Sequence, residues 1–425
     1  MKLFWRSSVQ MQNQKLYDLL DNVSTNIPFY KSYKKKDIIN YPFVTKNIIK
    51  NNYDDFLSDR LINKDQVVQE LKNPMKLKNY IIEKPLKNGI FLEWTTGSSG
   101  IPFKCIKSKT ERNIMSLNIW KKRLNFDRRI TPAKFFPLIH TGDKVIPFNI
   151  RDYSSENLKG LYDYIEKSGC NTIHTTPTLL KRHLVDSKVD QSIFHNKVQF
   201  IESTGSFLSQ DNKRLYEEIL NAQIFNFYGL IELWTIGTTC RNGNMHINAD
   251  NIYMELIDKD QKVIKEKHKV GQIAVTGLHQ YMMPFIRYLT GDYAEYTDIV
   301  CKCGDRDPII NLLENREIHY LEDKNKEIMD GNKFVKTLLR YVFWKHEFSE
   351  INYFCLIKKE SEYVFYLNWI GNSDLFERLV SNELFKKMGN EIKISYKYIT
   401  LEEFEELNVK NHLFINKSRK KVLVP

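Results

Sequence analysis

The chain has no apolar run approaching the ~18 residues that a membrane-spanning helix needs. Its first residues, MKLFWRSSVQMQNQ, offer only Leu3-Phe4-Trp5 as an apolar block, well short of the ~7–15 residues of a secretory core. Internal repeats and low-complexity linkers are missing. Cysteine is scarce, six in 425 residues, and no two cysteines stand in a C-x-x-C pair. These absences argue against a repeat array and a disulfide scaffold. They predict a soluble, cytoplasmic chain whose thiols are free or bound to metal.

A dominant charge cluster is lacking too. The formal net charge is +12, but the lysines are spread along the chain, and only Lys34 to Lys36 and Lys417 to Lys421 are grouped. Neither a nucleic-acid partner nor a membrane surface is expected from that distribution. A hydrophobic fraction of 42% over 425 residues is enough for real cores in two or three structural units.

Two familiar nucleotide loops are also absent from the stretch that most suggests one, EWTTGSSGIPFK, Glu93 to Lys104. The pattern G-x-x-x-x-G-K-[ST] needs glycine before its lysine and a helix after it. Here Phe103 precedes Lys104 and Cys105 follows in an alternating, strand-like run, and no G-x-G-x-x-G spacing occurs. What remains is a strand, a turn of hydroxyls and glycines, and another strand. Gly97 and Gly100 can turn backbone N–H groups inward, Thr95, Thr96, Ser98 and Ser99 add hydroxyl donors, and Lys104 adds a point charge. By itself such a loop is either an anion cradle or a structural turn.

The middle third predicts a parallel sheet. Leu158, Leu161, Tyr162 and Ile165 recur at helical spacing before Gly169, and Cys170 to Ile173 reads as a short strand. Thr176-Pro177 then reads as a helix start. Lys197 to Glu202 forms a second strand that ends in Ser203-Thr204-Gly205. Ser209 caps a helix through Leu215 and Ile219, and Ala222 to Tyr228 makes a third strand that ends in Gly229. Strands alternating with helices imply right-handed parallel crossovers, with ligands beyond the carboxyl ends of the strands. That places Ser203, Thr204 and Gly205 beside Tyr228 and Gly229, with His174, Thr176 and Trp234 as pocket candidates.

Beyond residue 250, Ile252, Met254 and Leu256 alternate with polar neighbours and Gln272 to Val275 adds a strand, an antiparallel pattern. From about Arg316 a smaller lysine-rich unit follows, with strands near Tyr353-Phe354 and Tyr363 to Leu367 and a helix near Asp374 to Lys387. The expected fold class is α/β. A large N-terminal domain, 1–314, would hold parallel-rich sheets flanked by helices and a smaller antiparallel part, and a small α+β domain, 315–425, would follow it.

Taken in order, TTGSSGIPFK at 95–104, STG at 203–205, YGLIE at 228–232 and RYLTGD at 287–292 resemble the successive core motifs of the adenylate-forming superfamily. IPFYKSY at 27–33 and YPFVTKNIIK at 41–50 are similar to the N-terminal segment of its phenylacetate-coenzyme A ligase branch, which includes capsule-biosynthesis relatives. The resemblance covers essentially the whole chain. It implies that the loop from Thr95 to Lys104 holds the β- and γ-phosphates of ATP, that Tyr228 and Gly229 lie against adenine, and that Glu232 coordinates Mg²⁺. It further implies that Asp292 binds the ribose hydroxyls and that Arg316, near the domain hinge, approaches the nucleotide. Lys417, in NKSRKKV, would bridge the substrate carboxylate and the α-phosphate, with Lys420 and Lys421 as rivals.

This sequence departs from the family pattern at several points. Ile231 replaces a threonine, Ser206 a glutamate and Asn315 a glycine, and Glu317-Ile318-His319 lacks an acidic pair. The adenylation half-reaction keeps its main parts, and the domain alternation behind the second half-reaction is the part put in question. Cys240, His246, Cys301 and Cys303 form C-x5-H followed by C-x-C-G, a set that could take one tetrahedral zinc or stay as free thiols. The resemblance implies a structural zinc.

The resulting expectation is an ATP- and Mg²⁺-dependent ligase. It would turn a small carboxylic acid into an acyl- or aryl-adenylate and pass the acyl group to coenzyme A, a carrier protein or an amine. The alternative is a degenerate relative that binds nucleotide or a partner without chemistry. The acid, the acceptor, the pathway and the oligomeric state are not written in the sequence.

Overall fold

The computed structural model describes residues 2–33, 37–72, 83–94, 103–138, 155–181, 197–206 and 208–313. In the C-terminal region it describes 320–325, 328–331, 334–335, 337–339, 342, 353–360, 362–368, 373–400, 403, 407 and 414–416. The chain falls into two compact units, 1–95 with 102–290 and 294–312, and 96–101 with 291–293 and 313–425.

The first unit begins with helix α1 (Lys2–Asn26), whose Leu16, Leu19, Leu20 and Val23 recur at helical spacing and are buried. Helices α2 (Lys46–Asn51), α3 (Tyr53–Phe56) and α4 (Lys64–Lys72) follow. Strands β1 (Glu83–Pro85), β2 (Ile90–Trp94) and β3 (Lys104–Ser108) then form a three-stranded antiparallel sheet. The hydroxyl-glycine segment therefore does join two antiparallel strands, with Trp94 opposite Lys104 and Glu93 opposite Cys105.

Helix α5 (Lys109–Phe126) starts with a reciprocal capping box. The Glu111 amide donates to Ser108 Oγ at 3.3 Å, and the Ser108 amide donates to Glu111 Oε2 at 2.6 Å. The alternation read from the sequence follows. Strand β4 (Phe135–Pro137), helix α6 (Ser155–Ser168), strand β5 (Thr172–Thr175), helix α7 (Pro177–Leu179), strand β6 (Phe200–Thr204), helix α8 (Gln210–Leu220) and strand β7 (Gln223–Leu230) succeed one another. Strands β4 to β7 are parallel. Thr176 and Ser209 cap their helices as their side chains allow, each accepting from a backbone amide three residues on at 3.2 Å.

The antiparallel part is not a separate sheet. Strands β8 (Trp234–Thr239), β9 (Met245–Ile247), β10 (Ile252–Ile257), β11 (Val263–Ile264), β12 (Gly271–Gly277), β13 (Tyr288–Tyr296) and β14 (Ile309–Leu312) extend the parallel strands. The result is one 11-stranded sheet of order β11-β10-β12-β13-β14-β9-β8-β7-β6-β5-β4. The switch occurs at the tight β7–β8 hairpin, because a turn this short can join only antiparallel neighbours. On one face of the parallel half, Ile173, Ile201 and Ile224 pack on Leu161, Ile165 and Leu220. On the other face Phe200 and Phe225 meet Phe126 of α5.

The second unit contains the two-stranded pair β15 (Tyr320–Glu322) and β16 (Ile328–Asp330) and a four-stranded sheet. That sheet is built from β17 (Tyr353–Lys359), β18 (Glu362–Asn368), β19 (Lys393–Tyr398) and β20 (Phe414–Asn416). Helix α9 (Ser373–Met388) buries Phe376, Val380 and Leu384 in one core with Phe365 and Leu367. Among the described residues no helix is long and apolar enough to cross a membrane.

Candidate functional site

The carboxyl ends of β5, β6 and β7 lie in register, Thr175 beside Ser203 and Ser203 beside Asn226. Thr175 Oγ1, Ser203 Oγ and Asn226 Oδ1 are buried without a hydrogen-bond partner, so three polar atoms stand in a row at the sheet edge where ligands bind in such folds. Thr204 donates from Oγ1 to the Phe227 carbonyl at 3.0 Å, tying the two strand ends together. Gly205 then takes a φ of +82°, which a β-carbon would strain. Ser203, Thr204, Gly205, Tyr228 and Gly229 are thus brought to one edge of the sheet.

At Gly229 the register shifts, and a β-carbon there would lie 1.9 Å from the Trp234 carbonyl oxygen. Only glycine fits. The chain turns through Leu230 to Leu233 and drops Glu232 into the interior, where its side chain is 0% exposed. Glu232 Oε1 meets Lys46 Nζ at 3.1 Å and accepts from the Tyr288 hydroxyl at 2.8 Å. Its Oε2 is buried with no hydrogen-bond partner. Burial alone would raise the pKa of this carboxyl, but Lys46, its own backbone amide and Tyr288 together hold it below the usual carboxylate value.

Lys46 reaches this place because Val44 pairs with β13. The Val44 amide donates to the Arg287 carbonyl at 3.2 Å, and the Leu289 amide donates to the Val44 carbonyl at 2.9 Å. Thr45 Oγ1 then caps α2 on the Ile48 amide, and Lys46 begins the helix. The Lys46 ammonium also lies 5.7 Å from the Phe103 ring centroid.

Lys104 is turned the other way. Its Nζ donates to the Glu70 carbonyl at the end of α4, at 2.8 Å, and the residue is 4% exposed. Three residues on, Lys107 is fully buried and donates to Glu93 Oε2 at 2.7 Å and to the Ile231 carbonyl at 2.7 Å. Trp234 Nε1 reaches the same Glu93 oxygen at 3.0 Å, and the Arg112 guanidinium lies over the Phe91 ring at 4.0 Å. Glu93 and Lys107 therefore clamp the β2–β3 hairpin to the turn that carries Glu232.

His174 of β5 sits one residue from Thr175 on the opposite face. Its Nδ1 lies 2.7 Å from Glu202 Oε1, and Arg123 of α5 holds Glu202 with two bonds of 2.7 Å. Burial raises the Glu202 pKa, but Arg123 and His174 outweigh it and bring it down to about 2.

The sulfurs of Cys240, Cys301 and Cys303 and a ring nitrogen of His246 all lie within 4.8 Å of one another. Cys240 Sγ and Cys301 Sγ are 3.6 Å apart, and Cys303 Sγ is 3.4 Å from His246 Nε2. Tetrahedral zinc with Zn–S of about 2.3 Å places its sulfurs roughly 3.8 Å apart, so these spacings suit that ion. His246 Nδ1 is 2.9 Å from the Asp307 carbonyl oxygen, an outer contact that leaves Nε2 to face the metal. Lys122 of α5 bonds Asp305 and Asp307 at 2.6 Å each and so fastens this loop to the helix.

Asp292 is buried on β13 directly after Gly291, whose φ is +80°, and belongs to the second unit. Thr95, Thr96, Gly97, Ser98, Ser99, Gly100, Arg316 and Lys417 lie outside the described residues. Lys46, Tyr288, Glu93, Lys107, Glu202 and Arg123 were not singled out from the sequence. A signal was present for some of them: Glu202 interrupts the apolar strand KVQFIE, and Lys107 and Glu93 sit in strands whose neighbours are buried.

No protein-family profile and no curated protein matches the sequence. Solved structures do. A 2-hydroxyisobutyryl-CoA ligase in the postadenylation state, in complex with R3-HIB-AMP, aligns at a TM-score of 0.60 and 13% identity over 96% of this chain and 89% of that one. The same ligase in an open conformation, in complex with 2-HIB-AMP and CoA, aligns at a TM-score of 0.56 and 14% identity over 96% and 91%. The likeness is one of fold. It shows a fold shared with these ligase structures and does not single out the phenylacetate branch.

Proposed function

We propose that this chain is an ATP-dependent ligase that activates a carboxylic acid as an acyl- or aryl-adenylate and passes the acyl group to a thiol or an amine. The observation that carries the reading is Glu232. It is a charged carboxylate, fully buried at the ligand edge of the sheet, with one oxygen bound to Lys46 and Tyr288 and the other left without a hydrogen-bond partner. Burying such a group costs several kcal/mol unless it is paired or coordinates a metal, and an unsatisfied carboxylate oxygen suits a divalent cation.

In the first half-reaction a substrate carboxylate oxygen attacks the α-phosphorus of ATP, and pyrophosphate leaves with the electrons of the broken P–O bond. No proton has to move. The protein must hold like charges together and align them, so fixed cations and backbone donors supply the catalysis. The loop at 95–104 would cradle the departing phosphates and Tyr228 would lie on the adenine. Asp292 would take the ribose hydroxyls, Arg316 would approach the nucleotide, and Lys417 would bridge the carboxylate and α-phosphate. Mg²⁺, on the free oxygen of Glu232, would neutralise charge on the leaving group.

In the second half-reaction a thiol or amine attacks the acyl carbon, AMP leaves, and the nucleophile's proton passes to solvent. A solved ligase of this fold holds an acyl-AMP together with CoA, which supports a thiol acceptor, and coenzyme A is the acceptor to test before a carrier protein or an amine. The Cys240, His246, Cys301 and Cys303 set would hold one structural zinc.

ATP–pyrophosphate exchange across a panel of aryl, fatty, hydroxy and amino acids tests the reading. Exchange with one class identifies the acid. Measurable ATP binding with no exchange on any acid would favour the degenerate, non-catalytic alternative, which the inward turn of Lys104 and Ile231 in the YGLIE motif also suggest.

A further inference from the structure

The expected phosphate lysine, Lys104, is spent on the Glu70 carbonyl, and Lys107 is sealed between Glu93 and the Ile231 carbonyl. A third lysine is placed differently. The Lys46 side chain is 37% exposed, yet its ammonium touches the fully buried Glu232 at 3.1 Å. It also stands near Phe103, the first described residue after the hydroxyl-glycine segment. Of the lysines bonded to this part of the site among the described residues, Lys46 alone joins the Glu232 carboxylate to solvent.

We propose that Lys46 is a phosphate-binding residue of the nucleotide site and that it shares Glu232 with the divalent cation. This rests on the ligase reading. A long, mobile ammonium on a carboxylate that has one oxygen spare can stay there or lean toward an incoming polyphosphate. A divalent cation held on the spare Glu232 oxygen would supply most of the positive charge that the phosphates need, and the Lys46 ammonium beside it would add less. When no metal is present, Lys46 leans from Glu232 to the phosphates and supplies the positive charge itself. Lys46 thus makes ATP binding less dependent on magnesium than it would be with Glu232 alone.

The test is calorimetric titration of the full chain with ATP, once in excess magnesium and once in buffer freed of divalent cations without chelator. A charge-assisted hydrogen bond is worth roughly ten- to a hundredfold in affinity. Lys46→Met should weaken ATP binding by about tenfold or more without magnesium and by clearly less with it, and Lys46→Arg should restore most of the loss. Glu232→Gln combined with Lys46→Met removes the buried unpaired charge, so it should recover thermal stability and still bind ATP weakly without magnesium. Lys46→Met that binds ATP like the wild type under both conditions overturns the assignment, as does a loss that is equal in both. Failure of the wild-type chain to bind ATP under either condition would instead overturn the ligase reading on which it rests.

Discussion

Arg123 grips Glu202 through two parallel bonds of 2.7 Å, one from Nε and one from Nη2, and His174 adds a third contact to the same buried carboxylate. The group orders the floor of the sheet edge from beneath. Its charge balance is what makes it testable.

Removing one partner leaves the other buried and unpaired, which costs about 3–5 kcal/mol. Arg123→Met is therefore expected to destabilise the protein by that order. The double variant Arg123→Met with Glu202→Gln should recover most of the loss. Denaturant melts of the two singles and the double measure the coupling, and simple additivity would contradict it.

Acid sensitivity follows from the same carboxylate. Glu202 is held at about 2 when folded, below the ordinary carboxylate near 4.3 when unfolded. A depressed pKa contributes stability above the unfolded value and loses it as pH falls through that value toward 2. Glu202→Gln should flatten the stability curve between about pH 5 and 2, and a wild-type curve equally flat there would refute the pairing.

Protein purified without chelator should carry one equivalent of zinc by elemental analysis. Cys301→Ser or Cys303→Ser should lose it, and a strong chelator should lower the melting temperature of the wild type, because a bound metal stabilises the folded state. A metal-free, chelator-indifferent protein would leave the four residues as thiols and an imidazole that merely lie together.

Gly229→Ala should be poorly tolerated. Its β-carbon would overlap the Trp234 carbonyl oxygen, so the bulge would have to open and carry the Glu232 turn with it. A stability loss above about 2 kcal/mol is expected, with ATP binding lost in parallel. A variant of wild-type stability would show that the hairpin can slide.

Elements with strong local signals were legible in the sequence. Leu161, Tyr162 and Ile165 marked α6, and Thr176 and Ser209 announced their helices by hydroxyl caps that the structure contains. Cys240, His246, Cys301 and Cys303 could be grouped because few side chains offer sulfur or imidazole, and they do converge. What local patterns do not encode is direction and pairing across long distances. Lys104 stands at the end of a hydroxyl-glycine loop, where a local pattern points to an anion, but its ammonium donates to the Glu70 carbonyl, 34 residues earlier in the chain. The approach of Lys46 to Glu232 depends on Val44 pairing with β13. The antiparallel strands likewise merge with the parallel ones because the β7–β8 hairpin is continuous, a property of pairing and not of composition.

Helix α5 has a consequence for how the molecule comes into being on the ribosome. Its Glu111 carboxylate accepts from the amides of Tyr281 and Met282, Asn118 donates to Asn251, Lys122 holds Asp305 and Asp307, and Arg123 holds Glu202. The helix itself can form as soon as residue 126 emerges, but every one of these partners is synthesised later, the last of them nearly two hundred residues downstream. Such distant contacts make for slow folding. The nascent chain gains these contacts one after another, Glu202 first and Asp307 last, and truncated chains that stop before residue 307 should be the ones that chaperones retain.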